Sequence, residues 1–454
     1  MATDRSIALA LVVATVVACG KPSGPPAPGA TGGSIEPAAS GDGGADAGAK
    51  KTRLVLHADR ALVPRTGALV APAWVEIEGG EVRRVGSEPP ADAASARHLG
   101  DATILPGLID AHSHLLHLEK ADDGGSMVAE AVTMTDADRA LRGVTFAKQM
   151  LLAGFTTVRD LGNSGRSGDV ALKRAIDKGW VTGPTMLVST RALAPPGGQF
   201  PRMGPTFGAL VEQEYAVVRS ADEGRAAVRQ AFYEGADLIK IIVDHGPGRT
   251  MTADEVRAIV DVAHAAKKKV AAHVLTPEAA DVAVTAGVDS CDHGYDISDA
   301  TLSMMSTKRI FLVPTDYRMD FYERFVPAGP KHDAVLAHMK KFRERAVARL
   351  ALAHKLRVPI AAGSDAYIDT GRDDRGRDAA EIFAAYAEAG LSPLEIVQTA
   401  TSNAADLLGL PAKTTALEPG SPADVIAVRG DPTKDVAALT RVTLVVKSGR
   451  VVER

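Results

Sequence analysis

Hydrophobic and polar positions along residues 105–408 fall into two alternating rhythms. Short β-branched and apolar runs at 104–115, 236–243, 269–274, 288–294 and 358–365 read as strands buried on both faces. Between them, 253–267, 277–286, 332–354 and 378–389 carry the longer spacing of helices. Strand ends are expected near His114, Asp160, Thr190, Lys240, His273, His293, Thr315 and Asp365. Eight ends suit an α/β fold of the (β/α)8 TIM barrel type, with a parallel strand ring inside its helices.

Different patterns flank this region. Residues 75–85 alternate about a Gly-Gly pair, which predicts a hairpin, and 424–428 and 442–452 carry matching strand patterns at the other end. A chain of 454 residues fits one barrel plus one minor domain.

The chemistry sits at the strand ends. His112 and His114, two residues apart, share a strand face and can touch one metal ion. A lone His-x-His pair is more often a pair of ordinary core or loop residues. Lys240 changes the picture, because a cation centred in Ala-Asp-Leu-Ile-Lys-Ile-Ile-Val is badly desolvated unless it snorkels or pairs at the strand end. His273, His293 and Asp365 each close a further strand-like run, so six metal-capable side chains recur at corresponding places. Barrel enzymes carry their chemistry at the carboxyl ends of strands, where these residues fall.

Composition narrows the partners. With 52 Lys+Arg against 56 Asp+Glu and a net charge of -4, there is no basic stripe, which excludes nucleic acid. The basic run Lys267, Lys268 and Lys269 reads as solvated surface.

The amino-terminal 1–18 read as an export signal, a polar start followed by an apolar run too short to span a bilayer. It ends in Val16-Val-Ala-Cys19, which resembles a bacterial lipoprotein lipobox and implies lipidation of Cys19; an ordinary secretory peptide cut elsewhere is the alternative. By the same resemblance Gly20 permits sorting to the outer membrane, so an exported protein anchored to the envelope is expected. Residues 19–51, rich in Gly, Ala and Pro, read as a disordered tether. With Cys19 acylated, Cys291 has no thiol partner and reads as a small buried hydrophobe.

The motifs Leu105-Pro-Gly-Leu-Ile-Asp-Ala-His-Ser-His114, Gly154-Phe-Thr-Thr-Val-Arg-Asp160, Ala286-Gly-Val-Asp-Ser-Cys-Asp-His-Gly294, Gly363-Ser-Asp365 and Pro419-Gly-Ser-Pro-Ala-Asp-Val-Ile426 resemble the amidohydrolase superfamily. The resemblance covers about residues 52 to 454 and is strongest to the branch of imidazolonepropionase-like proteins and Xaa-Pro dipeptidases. It implies that Lys240 is carboxylated by carbon dioxide (N6-carboxylysine) and bridges two divalent metal ions, usually zinc. His112, His114, Lys240 and Asp365 would then hold one ion, and Lys240, His273 and His293 the other. It further implies a β-sandwich built from 52–104 and 409–454, and amide hydrolysis through a metal-bridging hydroxide with Asp365 carrying the proton.

Substrate choice is less legible. Relatives commonly have Gly-Gly-His where this chain has Gly197-Gly-Gln199, and the charged 369–378 stretch reads as a solvated lid. Arg202, Tyr317, Arg318 and Arg377 are candidate binders of a substrate carboxylate. His117 and His245 are candidate contacts, against the plainer reading of loop histidines. The expected partner is a small-molecule amide or dipeptide, and the chain could form a homo-oligomer. The alternatives are a lactone, a phosphotriester or a deaminated amine as substrate, or a surface lipoprotein whose degenerate barrel only binds.

Overall fold

The computed structural model describes residues 53–119, 127–246, 248–326 and 328–453. The expected export signal, the Cys19 lipidation site and the tether lie outside the described residues. No helix among the described residues is long and apolar enough to cross a membrane.

The expected alternation of strands and helices is present, and the strands of the central region are parallel. One sheet orders Thr185–Val188, Phe155–Asp160 and Leu108–Ser113. A second orders Tyr215–Val217, Ala192–Ala194, Ile239–Ile242, Val270–Val274, Ser290–His293 and Phe311–Val313. Single hydrogen bonds link the two: Asp237 N donates to Val188 O at 2.8 Å.

The 358–365 run, expected as the eighth strand, does not form a regular one. Its backbone still bonds on both sides. Ala361 N donates to Leu312 O at 3.1 Å, while Ala111 N donates to Ala362 O at 2.8 Å and Asp365 N to His112 O at 2.7 Å. The chain passes too close to its neighbours for a side chain there. A Cβ on Gly363 would lie 2.4 Å from Val313 Cγ1 and 2.7 Å from His112 Cβ.

Helices Ala253–Ala265, Pro277–Ala286 and His332–Lys355 fall where the spacing placed them. The first is fixed by a Thr252/Glu255 capping box, the second by Pro277 in its first turn. The expected 378–389 helix is instead two, Arg375–Ala379 and Ile382–Glu388. That also corrects the reading of 369–378 as a solvated lid. Arg375, Gly376 and Asp378 are buried, and a Cβ on Gly376 would meet Gln149 O of helix Asp136–Leu152 at 2.3 Å.

The chain ends meet in two further sheets. The expected hairpin is Ala73–Glu78 with Glu81–Gly86, in a four-stranded sheet with Arg53–Ala58 and Arg97–His98. In a six-stranded sheet Ala102–Pro106 runs antiparallel to Val425–Arg429, which joins an early strand to a late one. Leu56, Val75, Ile77 and Ile104 share one apolar cluster with Val425, Leu444 and Val446. Neither end could bury that surface without the other.

Candidate metal centre

Four strands and the 358–365 segment deliver the six side chains to one place. His112 lies near the end of Leu108–Ser113 and His114 one residue beyond it; their Nε2 atoms are 3.3 Å apart. Asp365 Oδ1 stands 3.6 Å from His112 Nε2 and 3.3 Å from His114 Nε2, and its Oδ2 is 3.8 Å from His293 Nδ1. The His293 ring centroid is 4.9 Å from that of His112 and 4.5 Å from that of His273. Lys240 Nζ reaches the same cluster, 3.8 Å from Asp292 Oδ2, which is itself 2.8 Å from His112 Nδ1. Lys240 is not at a strand end as expected. It is second of four in Ile239–Ile242, opposite Ala271, and its long side chain spans the remaining depth.

Strand alternation does not explain how Asp292 and His293, adjacent in sequence, both face this cluster. His293 has φ 69° and Asp365 φ 52°, in the left-handed region that L-residues avoid at a cost of about 1–3 kcal/mol. The twist turns His293 inward beside Asp292, while Cys291 points the other way into the helix-facing core, as a small hydrophobe should.

Burial sets the protonation states. It pushes His112, His273 and His293 well below the ordinary imidazole range, and the nearby Lys240 charge adds to the effect in each. Neutral imidazole is the form that binds a metal. Burial also lowers Lys240 to about 8, against the opposing pull of Asp292 and Asp365. Lys240 Nζ and His273 Nε2 are buried with no hydrogen-bond partner. Orphaned nitrogens this deep are costly unless a further group satisfies them. Neutral imidazoles, an unpartnered amine and a carboxylate on one spot fit a divalent ion, and His112, His114 and Asp365 offer ligand atoms within 4.8 Å of one another.

A supporting layer orients these groups. His114 Nδ1 lies 2.9 Å from Gly162 O, so that nitrogen carries the hydrogen and Nε2 keeps its lone pair toward Asp365. His293 Nδ1 lies 2.8 Å from Thr315 Oγ1. Asp110 accepts from His112 N, Ser364 N and Ser364 Oγ at 3.0, 2.9 and 2.6 Å, which ties the first strand to the Asp365 segment. Buried Arg159 reaches Asp292 Oδ2 at 3.1 Å.

The proposed substrate contacts divide. His245 is half-buried, with its ring 6.3 Å from that of His273. Burial and then Arg249 lower it to about 4. Tyr317 is buried, stacked on Phe321 at 3.8 Å, with an unpartnered hydroxyl. His117 is buried and paired through Nδ1 with Glu130, which Arg142 also meets. Arg202 and Arg377 are exposed, and Arg318 turns outward to Asp320 at 3.4 Å. Arg375, two residues before Arg377, is the buried one; it donates to His114 O at 3.2 Å and His117 O at 2.9 Å.

Sequence reasoning missed Asp292, Arg159, Asp110 and Arg375. A signal existed for Arg159: a cation inside the apolar Phe155–Asp160 strand calls for the same question that Lys240 raised.

Known proteins share this arrangement of elements. A Xaa-Pro dipeptidase structure with bound methionine in its active site is 26% identical and covers 89% of this chain and 100% of its own, with a TM-score of 0.76. A prolidase complexed with N-methylphosphonate-L-proline is 27% identical over 89% of this chain and 100% of its own, with a TM-score of 0.75. Ochratoxinase of Aspergillus niger is 27% identical over 427 residues, 86% of this chain and 85% of that protein. The sequence model described as "Amidohydrolase family" matches residues 103–452, a span that takes in all six clustered side chains. The chain therefore belongs to the amidohydrolase family, in its prolidase-like branch.

Proposed function

We propose that this chain is a binuclear metal-dependent hydrolase that cleaves an amide C–N bond in a small molecule or dipeptide. One observation carries the reading: Lys240, a buried amine without a hydrogen-bond partner, stands among three imidazoles held neutral and a carboxylate. His112, His114, Lys240 and Asp365 would hold one divalent ion, zinc by the habit of the family, and Lys240, His273 and His293 the second. Bound there, the ions supply an ionised water near neutral pH and polarise the scissile carbonyl.

The chain's own residues do the rest. With Lys240 at about 8, roughly a tenth of it is free amine at neutral pH, enough to attack carbon dioxide. The new N–C bond releases one proton and leaves a carbamate, so a costly buried cation becomes an anion. Asp365 takes the proton of the attacking water and returns it to the leaving amine. The buried walls around His112 and His273 keep bulk water from the reacting bond. Xaa-Pro dipeptides and N-acyl-amino acids are the first substrates to try, given the prolidase and ochratoxinase relatives. Lactones and phosphotriesters come next. A deaminase is disfavoured by Lys240, which the superfamily's one-metal deaminases usually lack, and a purely binding lipoprotein by a donor set with no member lost.

In this reading, Leu108–Ser113, Phe155–Asp160, Thr185–Val188, Ile239–Ile242, Val270–Val274, Ser290–His293, Phe311–Val313 and the 358–365 segment form one closed eight-stranded barrel, residues 105–408, and the terminal sheets form the β-sandwich. The mature chain hangs from the envelope membrane by acylated Cys19, which mass spectrometry of its amino terminus tests.

Elemental analysis of protein prepared with bicarbonate tests the centre. Near two divalent ions per chain are expected in wild type, with a sharp fall in Lys240→Ala. Equal metal in both would overturn the assignment. Asp365→Asn is expected to keep part of its metal while turnover drops by about 10²–10⁴-fold, the usual worth of a positioned acid–base group. Full activity in that variant removes Asp365 from the proton path.

A further inference from the structure

Outside the candidate centre, three neighbouring strands of the four-stranded terminal sheet set Trp74, His57 and His98 in a row. His57 lies directly opposite Trp74 in the antiparallel pairing and opposite His98 in the parallel one. Opposite residues project from the same face. Leu56 and Ala58, which flank His57, are buried in the apolar cluster, so the row occupies the outer face. His57 is half-buried and His98 exposed. Their Nδ1 atoms are 3.0 Å apart. The Trp74 indole covers the His57 ring at 4.1 Å between centroids and meets His98 edge-on at 6.3 Å. Leu99 N donates to His57 O at 2.8 Å and Asp59 N to Gly100 O at 3.2 Å, which pins the short Arg97–His98 edge strand in register.

We propose that His57 and His98 chelate a first-row divalent transition ion, Cu2+ most tightly, at a second site on the terminal sheets. Imidazole nitrogens bind such ions at about 2.0–2.1 Å, so a cis pair spans roughly 2.9 Å at a right angle and roughly 3.4 Å at a tetrahedral angle. The observed spacing falls in that interval, and an ion enters without moving a strand. In the ion-free pair one Nδ1 carries the hydrogen that the other accepts. On binding, that hydrogen moves to Nε2 of its own ring, so the tautomer shift itself releases no proton. Water completes the coordination on the exposed side of His98. Two neutral nitrogens with open positions follow the general order of affinity that peaks at copper.

Trp74 makes the site readable, because Cu2+ held against the ring it covers quenches its emission. The chain has two tryptophans, and Trp180→Phe leaves Trp74 as the sole tryptophan, excited apart from the tyrosines at the red edge of the absorption band. That protein, purified with its candidate centre loaded, is titrated with Cu2+ while fluorescence, total metal and the copper EPR spectrum are followed. Quenching that saturates at one added equivalent, with nitrogen splitting from two imidazoles, is expected. His98→Ala, an exposed edge substitution, should need at least about tenfold more Cu2+ and lose one nitrogen from the spectrum, with its melting temperature and centre metal unchanged. His57→Gln should behave likewise. Quenching that is absent, or identical in wild type and His98→Ala, overturns the proposal and leaves the pair as a hydrogen-bonded couple.

Discussion

Asp292 bonds to Arg159 and stands beside two further nitrogens. Its Oδ2 lies 2.8 Å from His112 Nδ1, 3.1 Å from an Arg159 nitrogen and 3.8 Å from Lys240 Nζ, all nearly devoid of solvent contact. A carboxylate so placed orients an imidazole and raises its basicity as a ligand, and such partners are commonly worth 10- to 100-fold in metal affinity. It also neutralises Arg159, a buried guanidinium, and breaking one side of a buried pair costs about 3–5 kcal/mol. Asp292→Asn keeps the shape but removes the charge. It is expected to lower metal affinity by at least about tenfold and to lower the urea midpoint. Competition with a chromophoric chelator and urea unfolding measure the two separately. A variant with wild-type metal affinity would reduce Asp292 to a partner of Arg159.

Helix ends show how locally written much of the fold is. Ser392 and Glu395 form a capping box at the start of Pro393–Thr399: Ser392 N and Oγ donate to Glu395 Oε2 at 2.8 and 2.6 Å. His354, near the end of His332–Lys355, lies 2.9 Å from Glu395 Oε1 and couples the two helices. Partial burial pushes the Glu395 carboxyl up, but Ser392 and His354 pull it further down, to about 2. A carboxyl lowered on folding contributes stability that is fully present above its unfolded value of about 4.3 and is lost as pH falls through about 2. Glu395 is 43% exposed, so screening holds the contribution of its contacts to about 1 kcal/mol or less. Urea unfolding of Glu395→Gln is expected to show that small deficit at pH 7 and a narrowing difference as pH drops below 4; a deficit independent of pH would assign it to packing. Caps of this kind explain why Ala253–Ala265 and Pro277–Ala286 were legible in the sequence: Thr252, Glu255 and Pro277 mark their own positions. The four histidines, Lys240 and Asp365 were legible because polar residues in apolar runs stand out. Asp292 was not, since alternation assigns it and His293 to opposite faces, and the left-handed turn at His293 that cancels the rule leaves no mark in composition. The break-up of 358–365 was hidden for a similar reason, because it depends on what Gly363 approaches from elsewhere in the chain.

At the scale of the molecule, the last strands join two cores. Along Val425–Arg429, Val425 and Ala427 enter the apolar cluster of the terminal sheets, while Ile426 and Val428 enter the larger cluster beneath the parallel sheets. Val442–Lys447 repeats this division, with Leu444 and Val446 on one side and Val442 and Val445 on the other. Surface ties between the ends and the centre are weak by comparison. Arg65 and Asp406 meet at 2.7 Å, but both are nearly half exposed, and such pairs are worth about 0–1 kcal/mol. Fully burying a Val, Leu or Ile side chain contributes about 1.5–3 kcal/mol, so these two strands together supply on the order of 10 kcal/mol. A domain's whole stability is about 5–15 kcal/mol. Ending the chain after Leu417 therefore removes more than the terminal sheets can lose. It strips Ala102–Pro106 of its antiparallel partner and opens the larger core beneath the strand that carries His112. The truncated protein is expected to be insoluble or to melt without cooperativity, and to bind no metal even with bicarbonate present. Circular dichroism melting and elemental analysis check both outcomes together. If the shortened chain unfolds cooperatively and keeps its ions, the parallel sheets form an independent folding unit, and the late strands serve only the terminal sheets.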